Sequence, residues 1–417
     1  MEQELSVKKN MLWNSFGSLV NLGCQWLMTV LIVRVADGYE AAGVFSLAMS
    51  VYGIFGMIAQ YRMYTYQISD VSNENTVGEY LSFRLVTNVI SLVLCVAYMV
   101  FTCSRDSWLT IILYGVYRSI ALVIDVFHGC DQRHHRMDYI GISLSLQGVA
   151  SLVLFLVVFV FSRSLELAVA SMIVAVAVVG IAYDYPRTRR LEKIKLGISR
   201  KKTVYLLVSC FSIVAASAIS SATPAVPRQV LSFLMGNEAL GIYASVAAPV
   251  MVIQMGSSYI YGPLLGYYSE RYYANDPRGL LSLMRKSLAL ILGVCVVCAV
   301  LLGVLGEFVL VLFFGESISP YVYLLYPLLG FALLTGLMWF LNDLLIALRN
   351  FKATLVGSIV PFVVAIVAMM PFVQSFGMNG VTFTGLLANG AGVAVMAAQL
   401  SLQLKKWIEK CDKRAKD

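Results

Sequence analysis

Residues 38–46 read GYEAAGVFS and residues 236–244 read GNEALGIYA. At a constant offset, Gly38, Glu40, Ala41 and Gly43 recur as Gly236, Glu238, Ala239 and Gly241, while Phe45 recurs as the aromatic Tyr243. Each copy follows an apolar run and begins another, so the match marks equivalent turns in two halves of a duplicated architecture. A weaker echo sets Asp125 and Gly129 beside Asp343 and Ala347, each group followed by polar residues.

Working outward from these turns, apolar runs of the length needed to cross a bilayer follow one after another. A hydrocarbon core of about 30 Å takes about 20 apolar residues per helical crossing. The first half predicts helices over 11–35, 41–66, 79–102, 108–130, 138–161 and 164–185, and the second half over 203–230, 238–268, 284–306, 320–348, 352–375 and 379–404. Composition agrees, because 59% of the residues are hydrophobic, 13% are charged and the mean hydropathy is +0.79. A soluble domain carries roughly 25% charge and could not hide so much apolar surface. The expected fold is therefore an all-α integral membrane protein of about twelve spans in two six-helix lobes. Six is an even number, so both lobes enter the membrane in the same orientation, related by a pseudo-twofold axis along the membrane normal.

The basic residues set the topology. Twelve spans place 24 Lys and Arg on one side, whereas the opposite connections hold only Arg34, Arg105, Arg163 and Arg228. The positive-inside rule then puts both termini in the cytoplasm. The formal charge of +8 follows from these loops and not from a continuous basic face of the kind that binds nucleic acid. Expected boundaries are an N-terminal lobe at 1–186, a basic cytoplasmic linker at 187–202, a C-terminal lobe at 203–404 and a basic tail at 405–417. The linker reads either as an amphipathic segment on anionic lipid or as a solvated connector. No cleavable signal peptide is expected, since Glu2, Glu4, Lys8 and Lys9 precede a first run without a cleavage site. Pro224, Pro227, Pro249, Pro263, Pro320, Pro327, Pro361 and Pro371 all fall in the second half, whereas residues 1–185 contain none, so bends are expected to concentrate in the second half.

An ionisable side chain at mid-bilayer costs about 2.5–3.5 kcal/mol on insertion scales, so one retained there faces a bundle interior or a watery cavity. Arg84, Arg118, Asp125 and Asp343 lie inside predicted spans. Arg118 and Asp125 are two turns apart and share a helix face. Arginine offers a permanent charge and a planar fork matched to phosphate, so Arg118 and Arg84, joined by Arg34, Arg62 and Arg228, are the candidates for an anion-binding cavity. The last three sit near helix ends, where snorkelling to headgroups is the competing reading. Asp125 and Asp343 are candidates for coupling to a proton or sodium ion, or for neutralising an arginine.

Other clusters carry less. His128, His134 and His135 lack a zinc-binding spacing, and no Cys or carboxylate set completes a ligand shell, so no metal is expected. Cys295 and Cys298 lie in an apolar run without redox or zinc context, and the eight cysteines are expected as small buried hydrophobes. Tyr259, Tyr261, Tyr267, Tyr268, Tyr272 and Tyr273 crowd the end of the eighth predicted helix, as an interfacial belt or as platforms for sugars. Nucleotide-binding loops and catalytic elbows are missing, so the chain is not expected to be an enzyme or to bind a cofactor, and any driving force must come from gradients or substrate supply.

The opening KNMLWNSFGSLV (Lys9–Val20), the GYEAAGVFSLA turn and the even two-half layout resemble the multidrug/oligosaccharidyl-lipid/polysaccharide exporter superfamily. YRMYTYQISD (Tyr61–Asp70) and HGCDQRHHRMDYIGIS (His128–Ser143) resemble its polysaccharide transporter branch, the O-antigen and capsule flippases. The resemblance implies alternating access around a central cavity in the bacterial cytoplasmic membrane, with a polyprenyl pyrophosphate-linked oligosaccharide as substrate. It also implies encounters with membrane lipids and with a polysaccharide polymerase or glycosyltransferases. Relatives that flip the peptidoglycan precursor commonly carry two further helices, which disfavours that role. A cation-coupled multidrug exporter of the same superfamily is the alternative, and a non-transporting scaffold for glycosyltransferases the third reading.

Overall fold

The computed structural model describes residues 5–36, 38–70, 74–261 and 264–414. They are almost wholly helical: α1 (Val7–Ala36), α2 (Glu40–Gln60), α3 (Met63–Ser69), α4 (Val77–Thr102), α5 (Arg105–Arg133), α6 (Met137–Ser162), α7 (Leu165–Val179), α8 (Tyr185–Leu191), α9 (Arg200–Tyr261), α10 (Leu265–Tyr273), α11 (Pro277–Phe314), α12 (Leu325–Ala347), α13 (Phe351–Phe376) and α14 (Asn379–Arg414). A π-helical turn at Gly180–Asp184 joins α7 to α8, and a 3₁₀ segment at Glu316–Leu324 precedes α12. Among the described residues, eleven helices are long and apolar enough to cross a membrane. One of them, α9, is 62 residues long and leaves helical geometry at Gly236 (φ 87°, ψ 169°). At 1.5 Å per residue an unbroken α9 would reach roughly 90 Å, about three bilayer cores, so the break divides it into two crossings and the total becomes twelve. The longest helix thus breaks within the second copy of the repeated turn, at Gly236.

Local chemistry starts the helices where the polar residues fall. Thr76 Oγ1 accepts from Glu79 N (3.3 Å) while Glu79 Oε2 accepts from Thr76 N (3.0 Å), a capping box that opens α4. Ser164 Oγ accepts from Leu167 N at the start of α7, and Asn350 Oδ1 from Ala353 N at the start of α13. Asp276 caps α11 through Gly279 N (2.9 Å), with Pro277 in the first turn, where a missing N–H costs nothing. That bond and the Arg271 guanidinium hold the Asp276 carboxyl below its usual range. The exterior is apolar: Val93, Val304 and Val367 are 62%, 76% and 71% exposed, a distribution suited to lipid and not to water.

The chain divides into two compact units, Met1–Ser221 and Ala222–Asp417. The first 22 residues of α9, Arg200–Ser221, therefore group with the N-terminal unit, beyond the linker at which the sequence reading placed the boundary. In this unit α1 lies against α6 at backbone contact distance. A Cβ on Gly141 would stand 2.3 Å from the Trp13 carbonyl oxygen, and one on Gly17 2.3 Å from that of Gly141. Neither obstacle is a side chain that can swing away, and small residues at such positions are what allow membrane helices to approach so closely. Gly141→Val is expected to destabilise the protein by about 1–3 kcal/mol, the cost of overpacking, or by more if the helices must part. Thermal unfolding in detergent, monitored by size-exclusion chromatography, would register the loss.

The 187–202 segment is fastened to the N-terminal unit. Gly197 N donates to Ser82 Oγ (2.7 Å), Lys202 Nζ reaches Glu79 Oε1 (2.8 Å) and Glu74 O (3.1 Å), and a Cβ on Gly78 would collide with the Lys195 backbone. Leu191, Ile194 and Ile198 pack on the cluster of Tyr61, Met63, Val77, Tyr80 and Phe83. Beside this strap, Asp70 accepts from Glu74 N (2.9 Å), Asn75 N (3.1 Å) and Tyr80 Oη (2.7 Å). Burial pushes the Asp70 carboxyl up, but these donors and the field of Arg133 outweigh it, and the group is held below its usual range. Its stabilising effect is complete above the unfolded-state value and fades as pH falls through the folded one. Asp70→Ala should therefore lower stability at neutral pH by about 1.5–3 kcal/mol, with the gap to wild type closing in acid; pH-resolved thermal melts test it.

Breaks do not follow proline alone. Pro224, Pro227 and Pro249 lie inside α9, Pro361 and Pro371 inside α13, and Pro320 in the 3₁₀ segment, while Pro263 is outside the described residues. The break at Tyr61–Arg62 (φ 46° and 55°) has no proline beside it, whereas the π-turn at Gly180–Asp184 is followed directly by Pro186 in the first turn of α8. Each unit repeats one device: a helix beginning at the matched turn is followed by a short helix, α3 or α10, that lies against a later span. Gln67 of α3 donates to Val126 O of α5 (3.0 Å), and Ser269 of α10 donates to Ala347 O of α12 (2.9 Å).

Candidate functional site

The break after α2 explains Arg84. A helix end leaves carbonyls without partners and a partial negative charge. The Ala59 oxygen, exposed by the left-handed turn at Tyr61–Arg62, accepts from Arg84 Nη1 (2.8 Å) and from Thr87 Oγ1 (2.8 Å), both on α4. Arg84 Nη2 also lies 3.5 Å from Asp125 Oδ2 on α5. Arg84 is 0% exposed, so its guanidinium is committed to the broken helix and to Asp125.

Arg118 stands differently. It lies inside the α5 span, is partly buried, and has the phenols of Tyr52, Tyr114 and Tyr117 as electrostatic neighbours. Among the described residues no carboxylate is ion-paired with it, since Asp125 is paired to Arg84. Tyr114 and Tyr117 line a recess of the N-terminal unit together with Gln25, Met28, Phe45 and Met172. Tyr52 Oη shares a hydrogen bond with Ser119 Oγ (3.0 Å), and Asn88 Nδ2 donates to Ser119 O (2.9 Å), which fixes the turn of α5 that bears Arg118.

The other candidates are dispersed. Arg62 is exposed at the α2–α3 break and donates to Ser217 Oγ (3.1 Å). Arg34 is exposed in the last turn of α1, where a cation meets the negative end of the helix. In the C-terminal unit Arg228 is partly buried near Tyr243, and Asp343 accepts from Tyr261 Oη (2.9 Å). Asp125 and Asp343 thus each sit on the span that receives a short helix, the structural counterpart of the weak sequence echo. The tyrosine cluster disperses as well: Tyr261 and Tyr268 are buried, Tyr272 stacks on Trp407, Tyr267 and Tyr273 are exposed, and the side chain of Tyr259 is outside the described residues.

Two groupings escaped the sequence reading. Cys130 and Glu192 do converge on His134, with ligand-type atoms within 4.8 Å of one another. Their contacts are those of a hydrogen-bonded and ion-paired cluster: His134 Nδ1 lies 3.0 Å from Cys130 O, and Arg133 pairs with Glu192 at 3.7 Å. The second grouping is a buried acid–imidazole set near the C-terminal end of α5, with His128 Nε2 3.4 Å from Asp184 Oδ1 and Ser143 Oγ donating to Asp184 Oδ2 (2.9 Å). Asp184 lies 56 residues beyond His128 and the π-turn brings it in, so no local spacing announces it.

Comparison with known proteins gives the fold and the grouping their context. The family model described as "Polysaccharide biosynthesis protein" matches residues 7–269. The chain belongs to this family. The family member is similar to the capsular polysaccharide biosynthesis protein CapF of Staphylococcus aureus, at 23% identity over 74% of this chain and 78% of that one. Its fold resembles the lipid II flippase MurJ in an inward closed conformation, with a TM-score of 0.75 at 12% identity over 96% of this chain and 90% of that one. It also resembles a multidrug resistance MATE transporter of the MOP superfamily in an inward-facing conformation, with a TM-score of 0.71 at 13% identity over 94% and 99% of the two chains. The chain is therefore a multi-pass membrane protein with the fold seen in these two structures.

Proposed function

We infer that the chain is a flippase that moves a polyprenyl pyrophosphate-linked oligosaccharide from the cytoplasmic to the outer leaflet of the bacterial cytoplasmic membrane, by alternating access, for assembly of capsule, O-antigen or exopolysaccharide. The termini face the cytoplasm in this reading. The observation that carries it is Arg118, a cation inside a span, beside aromatic side chains and without a paired carboxylate. Such a group offsets the desolvation of a pyrophosphate while the polyprenyl tail stays in lipid. Family membership and the capsular relative point to the same substrate class. Arg62, Arg34 and Arg228 remain candidates for contacts with the headgroup or its sugars, whereas Arg84 serves the framework. The 1–186 and 203–404 segments are the proposed lobes and 405–417 the proposed cytoplasmic tail.

A cation-coupled drug exporter would need an acidic cavity, and a scaffold for glycosyltransferases would need no cation within a span. Flipping of a fluorescent polyprenyl pyrophosphate-oligosaccharide in proteoliposomes separates them, with protection of the label expected in vesicles containing the protein. Gradient-driven efflux of organic cations without any flipping would replace the flippase with the exporter.

A further inference from the structure

Asp131 lies on α5 three residues after His128, is 1% exposed, and has no hydrogen-bond donor on either carboxylate oxygen among the described residues. It is faced by His128 on its own helix, by Asp184 and Tyr183 of the π-turn, by Arg136 and Asp138 at the start of α6, and by Tyr64 of α3. His128 and Arg136 bring favourable charge, but none of these groups donates a hydrogen bond to it. Arg136 is held in a two-point pair with Asp138 (3.0 and 2.9 Å) and stacks on Tyr139 (3.9 Å). The Tyr64 hydroxyl donates to Gln132, and His128 contacts Asp184. Farther along α5, Asp125 is paired with Arg84.

The same region holds a further buried acceptor without a donor among the described residues, Gln67 Oε1, which lies across Gly129. An ionised carboxylate buried without a donor on either oxygen is prohibitively costly, and a bound proton removes that cost by neutralising it. Imidazole is not a ligand for hard alkali cations, whereas a proton converts a carboxylate from acceptor to donor and is exchanged readily with imidazole. The π-turn carries one extra residue, and such turns are frequent at functional sites.

We propose that Asp131, with His128 and Asp184, forms a buried proton-binding site in the N-terminal unit, in which the Asp131 carboxyl carries the proton while it is enclosed. Asp131 is the proton carrier and His128 its exchange partner, with Asp184 and Ser143 positioning the imidazole side. The proton is released when α5 and the π-turn separate and water reaches the carboxylate. Coupling of this proton to transport rests on the flippase reading; the binding of the proton does not.

Infrared spectra of the full-length protein in nanodiscs, without substrate and with pH stepped through the acidic to alkaline range in potassium buffer, test the site directly. The wild type is expected to show a titrating carboxylic-acid carbonyl band, Asp131→Asn to lose one acid equivalent, and His128→Gln to move the midpoint of that band. Asp131→Glu, which keeps the acid, should shift the band without removing it and covers the case in which the asparagine variant fails to fold. A spectrum unchanged by Asp131→Asn, or a band abolished at constant pH by replacing potassium with sodium, overturns the assignment.

Discussion

Alanine at position 118 is expected to reduce flipping of a lipid-linked oligosaccharide by about 10- to 100-fold while leaving the amount of inserted protein and its melting behaviour close to wild type. A hydrogen bond to a charged group contributes about 1.5–3 kcal/mol, and roughly 1.4 kcal/mol corresponds to a factor of ten in rate. Arg118 can act on substrate because no carboxylate of the described residues is paired with it, and Asp125 keeps its ion pair with Arg84 when Arg118 is removed. Lysine at the same position keeps the charge but loses the fork that grips two phosphate oxygens, so Arg118→Lys should fall between alanine and wild type. The proteoliposome assay, normalised to reconstituted protein, decides the matter. An alanine variant that flips at the wild-type rate would remove Arg118 from the substrate path.

Loss of Arg84 should present the opposite pattern, in which protein disappears before transport can be measured. Arg84 caps the broken end of α2 through Ala59 O and pairs with Asp125, whose side chain is 24% exposed. Removing one partner of a buried pair costs about 3–5 kcal/mol, and the partial exposure of Asp125 places the expectation toward the lower end. Thr87 Oγ1 still serves the Ala59 carbonyl, so the uncompensated acid is the larger part of the penalty. Arg84→Leu is therefore expected to fall in membrane yield and melting temperature, and Arg84→Leu with Asp125→Asn to recover part of both. A double variant no more stable than the single one would show that the ion pair contributes nothing beyond the helix cap.

These two arginines mark the limit of what sequence could say. Both lie in apolar runs and both read as cavity cations, because hydropathy reports depth and not direction. What separates them is a turn at Tyr61–Arg62 that contains neither glycine nor proline, so nothing in the local chemistry foretells that α2 will stop and need a cap. The spans themselves were legible, since a run of about 20 apolar residues has few ways to be stable in lipid. The duplication was legible through Gly38 and Gly236, the second of which adopts a backbone geometry that suits glycine. Asp131 and Asp184 escaped notice because each sits at the end of a run, where a carboxylate is expected to meet water; only packing of α5 against the π-turn encloses them.

The break in α9 has a consequence for how the protein is made. Within α9 only Gly236 departs from helical geometry, so the two crossings it contains are separated by a single non-helical residue. The insertion machinery meets no hydrophilic loop there to signal the end of one crossing and the start of the next. The two crossings are therefore expected to insert in immediate succession, and a tag or protease site placed at this turn to interrupt biogenesis at the step where the second half of the protein is being laid down.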